Sequence, residues 1–234
     1  MHSPRRPFLA LVLALGLVAT ACGADADPLT TEPVTVDAGD VASVVVLGDS
    51  IMEWNIDSGR SIPDVIAQTL DVPVVNASVG GALAGEVPAQ YAETDGTAQW
   101  VVFDGGGNDL NDVCGCGECS AVTDAIVSTD GTAGVLAGFT EELVAAGKRV
   151  AVVGYYDLPP GAEFGFDECG DDIAELESRM RALAARFDEV IFVDPSEVVG
   201  ADDVAAFDDD LVHPSPEGSR IVGEQIAGAI SSAS

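Results

Sequence analysis

Residues 43–50 read Ser-Val-Val-Val-Leu-Gly-Asp-Ser. Four consecutive apolar residues, three of them β-branched, stop abruptly at Gly48-Asp49-Ser50. β-Branched side chains favour the extended backbone, and Gly-Asp-Ser is turn chemistry. An unbroken apolar run, as opposed to an alternating one, describes a strand covered on both faces. The same signature recurs along the chain. It predicts strands at Ser43–Leu47, Val74–Val75, Trp100–Phe103, Arg149–Gly154 and Val190–Val193. Helical patterns lie between them, at Ser61–Leu70, within Ala121–Ala146, at Asp171–Phe187 and at Pro216–Ser231. Val222, Ile226, Ala229 and Ile230 keep the spacing of one helical face, and Gly147 marks a helix stop before the fourth strand. Strands alternating with helices predict an α/β fold with a parallel, doubly wound sheet and right-handed crossovers.

Ligands of such sheets sit at the carboxyl ends of the strands. The residues that follow each strand therefore matter most. Ser50 ends the first turn, where a hydroxyl and a free backbone N–H can face a ligand. The second strand leads into Asn76-Ala77-Ser78-Val79-Gly80-Gly81, whose glycines allow strained turns with N–H groups turned outward. The third leads into Gly105-Gly106-Gly107-Asn108-Asp109, where Asn108 offers an amide donor. Asp210-Leu211-Val212-His213 stands before the last helix, and an Asp three residues ahead of a His can fix the ring's tautomer. Each motif alone is also an ordinary turn or cap. Together they supply a nucleophile, anion-binding donors, a base and its orienting carboxylate.

This set resembles the SGNH (GDSL) hydrolases, with Gly48-Asp49-Ser50, the Asn76-to-Gly81 turn, Gly107-Asn108-Asp109 and Asp210-x-x-His213 in that family's order. The resemblance implies a three-layer, flavodoxin-like α/β/α sandwich with a five-stranded parallel sheet. It implies Ser50 as nucleophile, His213 as general base and Asp210 as the residue that orients the ring. It implies an oxyanion hole from the Ser50 N–H, the Gly81 N–H and the Asn108 side chain, with Gly80 in place of Gly81 if the turn is shifted by one. The implied reaction is hydrolysis of a carboxylic ester through an acyl-enzyme, with no metal and no organic cofactor. An O-acyltransferase or a polysaccharide O-deacetylase would use the same residues. A ligand-binding protein that kept only the fold would have lost one of them.

Cys114-Gly115-Cys116-Gly117-Glu118-Cys119 follows the Asn108 motif, and Cys169 lies beyond the fourth strand. Two disulfides or a four-thiolate metal site would both use Cys114, Cys116, Cys119 and Cys169. Only one Cys-x-x-Cys is present, which favours bridges, with Cys169 joined to the cluster. Asp202, Asp203, Asp208 and Asp209 flank His213 as a solvated acidic loop or a calcium site. Trp54 is a candidate for pocket wall or core, and Tyr155, Tyr156, Phe164 and Phe166 for contacts to an acyl or leaving group.

The N-terminus carries Arg5 and Arg6 before an apolar run from Phe8 to Val18. That run is short of the ~20 residues a membrane-spanning helix needs, so residues 1–21 are expected to be an export signal. Ala19-Thr20-Ala21 before Cys22 resembles a lipoprotein cleavage site, although Ala19 stands where that pattern usually has Leu. Cys22 is then a lipid-anchor candidate, the one expected membrane contact, and cleavage after Ala21 without lipidation is the alternative. Residues 22–40 are small, acidic and Pro-containing, and read as a tether, with one domain over 41–234. The chain carries 40 acidic and 9 basic residues among 234, a formal net charge of −31. Such a surface excludes nucleic acid as a partner, because phosphate contacts need basic side chains. A small-molecule or glycan ester is the expected substrate.

Overall fold

The computed structural model describes residues 41–234. The expected export signal, Cys22 and the expected tether lie outside the described residues.

Five parallel strands form one sheet, β1 (Val44–Leu47), β2 (Val74–Asn76), β3 (Trp100–Phe103), β4 (Arg149–Val153) and β5 (Val190–Val193). Their order across the sheet is β2-β1-β3-β4-β5. Val44 pairs with Val74 on one side and Trp100 on the other, and Leu47 pairs with Phe103. The three central strands are buried along almost their whole length, whereas the edge strands β2 and β5 are partly exposed. This is why the central strands read as continuous apolar runs in the sequence.

The helices are α1 (Ser50–Glu53), α2 (Ile62–Leu70), α3 (Val87–Ala92), α4 (Ser120–Ile126), α5 (Val135–Ala145), α6 (Gly170–Ala184) and α7 (Pro216–Ala233). Helix α2 packs on α7, and α4 packs on α5 and α6, giving a helical layer on each face of the sheet. The α2–α7 contact depends on Gly223, where an added Cβ would stand 2.6 Å from the Val65 Cβ. Ser61 caps α2 in a reciprocal pair with Asp64, and Ser215 caps α7 through the Gly218 N–H. Gly147 stands at φ +76° beyond α5, with its N–H on Val144 and the Lys148 N–H on Leu143, the paired bonds of a Schellman motif.

The helical stretch expected within Ala121–Ala146 is two helices. Between α4 and α5 the backbone passes Gly131 at φ +70° and Gly134 at φ +104°. A Cβ at Gly134 would stand 2.4 Å from the Ile126 carbonyl oxygen, so the chain turns back closely on the end of α4. The short helices α1 and α3 carry too few turns to show a period in sequence.

The four cysteines form two bridges, Cys114–Cys119 and Cys116–Cys169. The thiolate metal site is thereby excluded. Because β3 and β4 are neighbours, the loops that follow them lie side by side, and Cys116–Cys169 ties one to the other across a separation of 53 residues. Closing a loop of that length in the unfolded chain is worth about 4 kcal/mol, and the Cys114–Cys119 loop about 2 kcal/mol. The double substitution Cys116→Ser/Cys169→Ser is therefore expected to lower the unfolding free energy by about 4 kcal/mol in urea titrations, about twice the effect of removing Cys114–Cys119.

Candidate active site

The turn that carries Ser50 is built on a glycine that nothing else can replace. Gly48 holds φ +128°, and an added Cβ would stand 1.7 Å from Asp104 Oδ1. Its N–H and carbonyl are both held by the Gln90 side chain, at 2.7 and 2.8 Å. Asp49 follows as the N-cap of α1, its Oδ1 accepting from the Ile51 N–H at 2.9 Å. Ser50 is thereby the first residue of a helix at the carboxyl end of β1.

The Ser50 Oγ lies 2.9 Å from His213 Nε2. His213 Nδ1 lies 2.6 Å from Asp210 Oδ2. Asp210 Oδ1 accepts from the backbone N–H groups of Val212 and His213, each at 2.9 Å, which wraps the segment around the carboxylate and places Leu211 at φ +59°. Burial opposes the charge on Asp210. The hydrogen bonds from the His213 ring and from the two backbone N–H groups outweigh it and hold the carboxyl below its usual range.

The histidine segment is fastened to the end of α1 by the two residues that follow that helix. The Trp54 indole stacks on the His213 ring with centroids 3.8 Å apart and planes 7° from parallel. Its Nε1–H donates to Asp208 Oδ2 at 2.8 Å. Asn55, at φ +68°, donates from Nδ2 to the Pro214 carbonyl at 2.8 Å and to Ser219 Oγ at 3.0 Å. Trp54 thus covers one face of the His213 ring, and Asp208 of the acidic loop has a defined partner.

Of the two adjacent glycines, Gly80 donates its N–H to Glu53 Oε2 at 2.7 Å. Gly81, at φ +78°, faces open space, and its N–H has no hydrogen-bond partner among the described residues. Asn108 Nδ2 donates one hydrogen to the Ala82 carbonyl at 3.0 Å, which leaves its second for a ligand. Ser50 and Asn108 line one cavity with Tyr155, Tyr156 and Phe166. Phe164 lies apart, exposed, with its ring 6.4 Å from that of His213.

A family model for GDSL-like lipases and acylhydrolases matches residues 46–221. The chain belongs to that family. Its reaction class is carboxylic ester hydrolysis. No curated protein matches the chain in sequence. Among solved structures, a GDSL-like lipase from Bacteroides thetaiotaomicron is 20% identical with a TM-score of 0.63, over 82% of this chain and 89% of that one. TesA is 22% identical with a TM-score of 0.59, over 82% and 99%. Est24, a carbohydrate acetylesterase from Sinorhizobium meliloti, is 16% identical with a TM-score of 0.58, over 82% and 99%. These likenesses establish a shared fold.

Beneath the family motifs lies a polar network that the sequence reading missed. Asp104 ends β3 and is fully buried, and its Oδ1 accepts from the Asp49 N–H at 2.9 Å. Asp49 Oδ2 accepts from the Tyr155 hydroxyl at 2.8 Å, and that hydroxyl accepts from the Gly107 N–H at 2.9 Å. Burial pushes both carboxyls up. Asp104 rises well above its usual range because the Asp49 charge adds to the effect of burial. A charged residue placed directly after a wholly apolar strand was the available signal for Asp104.

Glu177 on α6 is also displaced. Its Oε1 accepts from the Tyr155 N–H at 2.6 Å, and burial pushes its carboxyl up to about 7. A folded-state value raised above 4.5 means the native protein holds the proton more tightly than the unfolded chain. That contribution to stability is present below pH 4.5 and is lost as pH rises towards 7, on the order of 3 kcal/mol in all. Urea midpoints are expected to fall between pH 5 and pH 7, and Glu177→Gln is expected to flatten that part of the curve.

Proposed function

We propose that this family member is an exported serine esterase in which Ser50, His213 and Asp210 form the catalytic triad. The observation that carries the reading is the continuous hydrogen-bonded chain from Ser50 Oγ through the His213 ring to Asp210, beside a cavity. His213 Nε2 takes the Ser50 proton as the hydroxyl oxygen attacks the ester carbonyl carbon. Asp210 holds the ring in the required tautomer and stabilises the imidazolium that forms. The oxyanion is received by the Ser50 N–H, the Gly81 N–H and the second Asn108 hydrogen, each worth ~3 kcal/mol of barrier. The engagement of Gly80 with Glu53 supports Gly81 for this role. The carbon–oxygen bond to the alcohol then breaks, with His213 returning its proton to the leaving oxygen. Water, deprotonated by the same base, attacks the acyl-enzyme and releases the acid.

Export rests on the sequence of residues 1–22, with Cys22 as the proposed lipid-bearing residue and the tether leading to the catalytic domain. Among the described residues no helix is long and apolar enough to cross a membrane. Intact mass measurement of the processed protein is expected to show Cys22 as the first residue, carrying a diacylglyceryl group.

Ser50→Ala or His213→Ala is expected to lower kcat/KM on p-nitrophenyl acetate at least about 10⁴-fold, and Asn108→Ala about 10²- to 10³-fold. A fluorophosphonate is expected to modify Ser50 in the wild type and nothing in Ser50→Ala. Absence of both hydrolysis and labelling in the wild type overturns the esterase reading.

A further inference from the structure

The cavity next to Ser50 and Asn108 has a volume of about 30 Å³. That is the space in which the centre of a water-sized group can lie, so the cavity takes a chain of a few carbons. A second, larger cavity of about 310 Å³ adjoins it. Both are lined by Tyr155, Tyr156, Leu158, Phe166 and Ile173, which stand where the two meet and are taken as the partition between them. Beyond the partition the larger cavity is edged by Asp157, Asp167 and Glu177.

The partition is held rigidly. The Tyr155 hydroxyl is fixed between Asp49 and the Gly107 N–H, and the Tyr156 hydroxyl donates to the Val212 carbonyl at 2.7 Å. Tyr156 is packed edge-on against Phe207. Phe166 sits on the segment Glu163–Glu168, which is tied down on three sides. The Glu163 N–H donates to the Asp210 carbonyl at 2.9 Å, Asn111 Nδ2 donates to the Phe164 carbonyl at 3.0 Å, and Cys169 is bridged to Cys116. An acyl chain that outgrows the small cavity meets hydrogen-bonded rings and a disulfide-anchored turn, so widening it requires breaking these bonds.

We propose that the partition limits the acyl group to short chains, acetyl to butanoyl, and that Leu158 and Phe166 set this limit. The proposal rests on the esterase reading above. With the carbonyl carbon at Ser50 and its oxygen at the oxyanion donors, the carbons beyond the carbonyl occupy the small cavity. Acetyl places one there and butanoyl three, whereas octanoyl would place seven. Each apolar methylene that a pocket accepts or refuses is worth roughly 10-fold or more in kcat/KM. Replacing Leu158 or Phe166 by Ala opens the small cavity into the larger one and gives a longer chain a path.

The test is the chain-length profile of the full-length protein on p-nitrophenyl acetate, butanoate and octanoate, with Leu158→Ala and Phe166→Ala measured alongside. The wild type is expected to favour butanoate over octanoate by at least about 10-fold in kcat/KM. Each variant is expected to raise the octanoate-to-butanoate ratio about 10-fold, and this ratio is insensitive to the fraction of protein that folds. Octanoate turned over as well as butanoate by the wild type overturns the short-chain assignment and leaves the esterase reading intact. A short-chain preference unchanged in both variants overturns the role of the partition. No turnover of any ester overturns the esterase reading, and this proposal with it.

Discussion

Asp49 is almost entirely enclosed by protein, yet it stands at the junction of three loops. One carboxylate oxygen caps α1 through Ile51, the other accepts from Tyr155, and the backbone N–H donates to Asp104. Through Tyr155 the same network reaches the Gly107 N–H, one residue before Asn108. The nucleophile turn after β1, the Asn108 turn after β3 and the loop after β4 are thereby referred to one buried carboxylate. Burying a charge without partners costs many kcal/mol, and the hydrogen bonds to Asp49 offset that cost. Burial and their mutual repulsion push both carboxyls up, Asp104 furthest.

The histidine is supplied from a distant part of the chain, 163 residues after the serine. A base delivered by a loop must be held to within a fraction of an ångström of its partner. Here the clasp is made by Trp54 and Asn55, which directly follow the short helix that Ser50 begins. The indole face covers the imidazole, and the Asn55 amide holds the carbonyl of Pro214, the residue after His213. Ser50 and His213 are therefore positioned from one helix of four residues, and any tilt of that helix moves both together.

The layers, the five strands and the four site motifs were legible because each has a local signature. Continuous valine runs report burial on both faces, and glycine beside Asn, Asp or Ser reports a turn. The split between α4 and α5 was only hinted at by Gly131 and Gly134, since their significance lies in a close approach to Ile126 and to α6. Trp54 illustrates the other limit. Its identity and spacing allow wall or core, and the stack on His213 depends on where the loop from 204 to 215 folds back, which no local pattern encodes. Asp104 was overlooked because the glycine run beside it reads as the feature, whereas its role is set by an atom-scale fit against Gly48.

The network around Asp49 also decides what the cavity can be. Tyr155 is at once a ligand of the buried carboxylate and a wall of the space beside Ser50. A wall residue free of other duties can rotate away when a longer chain enters, at the cost of a rotamer change. Tyr155 cannot, because rotation would break its bond to the buried Asp49 carboxylate and would release the Gly107 N–H at the same time. The requirement that the buried acid stay satisfied therefore acts on specificity. It makes one side of the pocket as rigid as the nucleophile turn itself and leaves Leu158 and Phe166, which carry no such bonds through their side chains, as the positions where pocket size can change without disturbing the machinery.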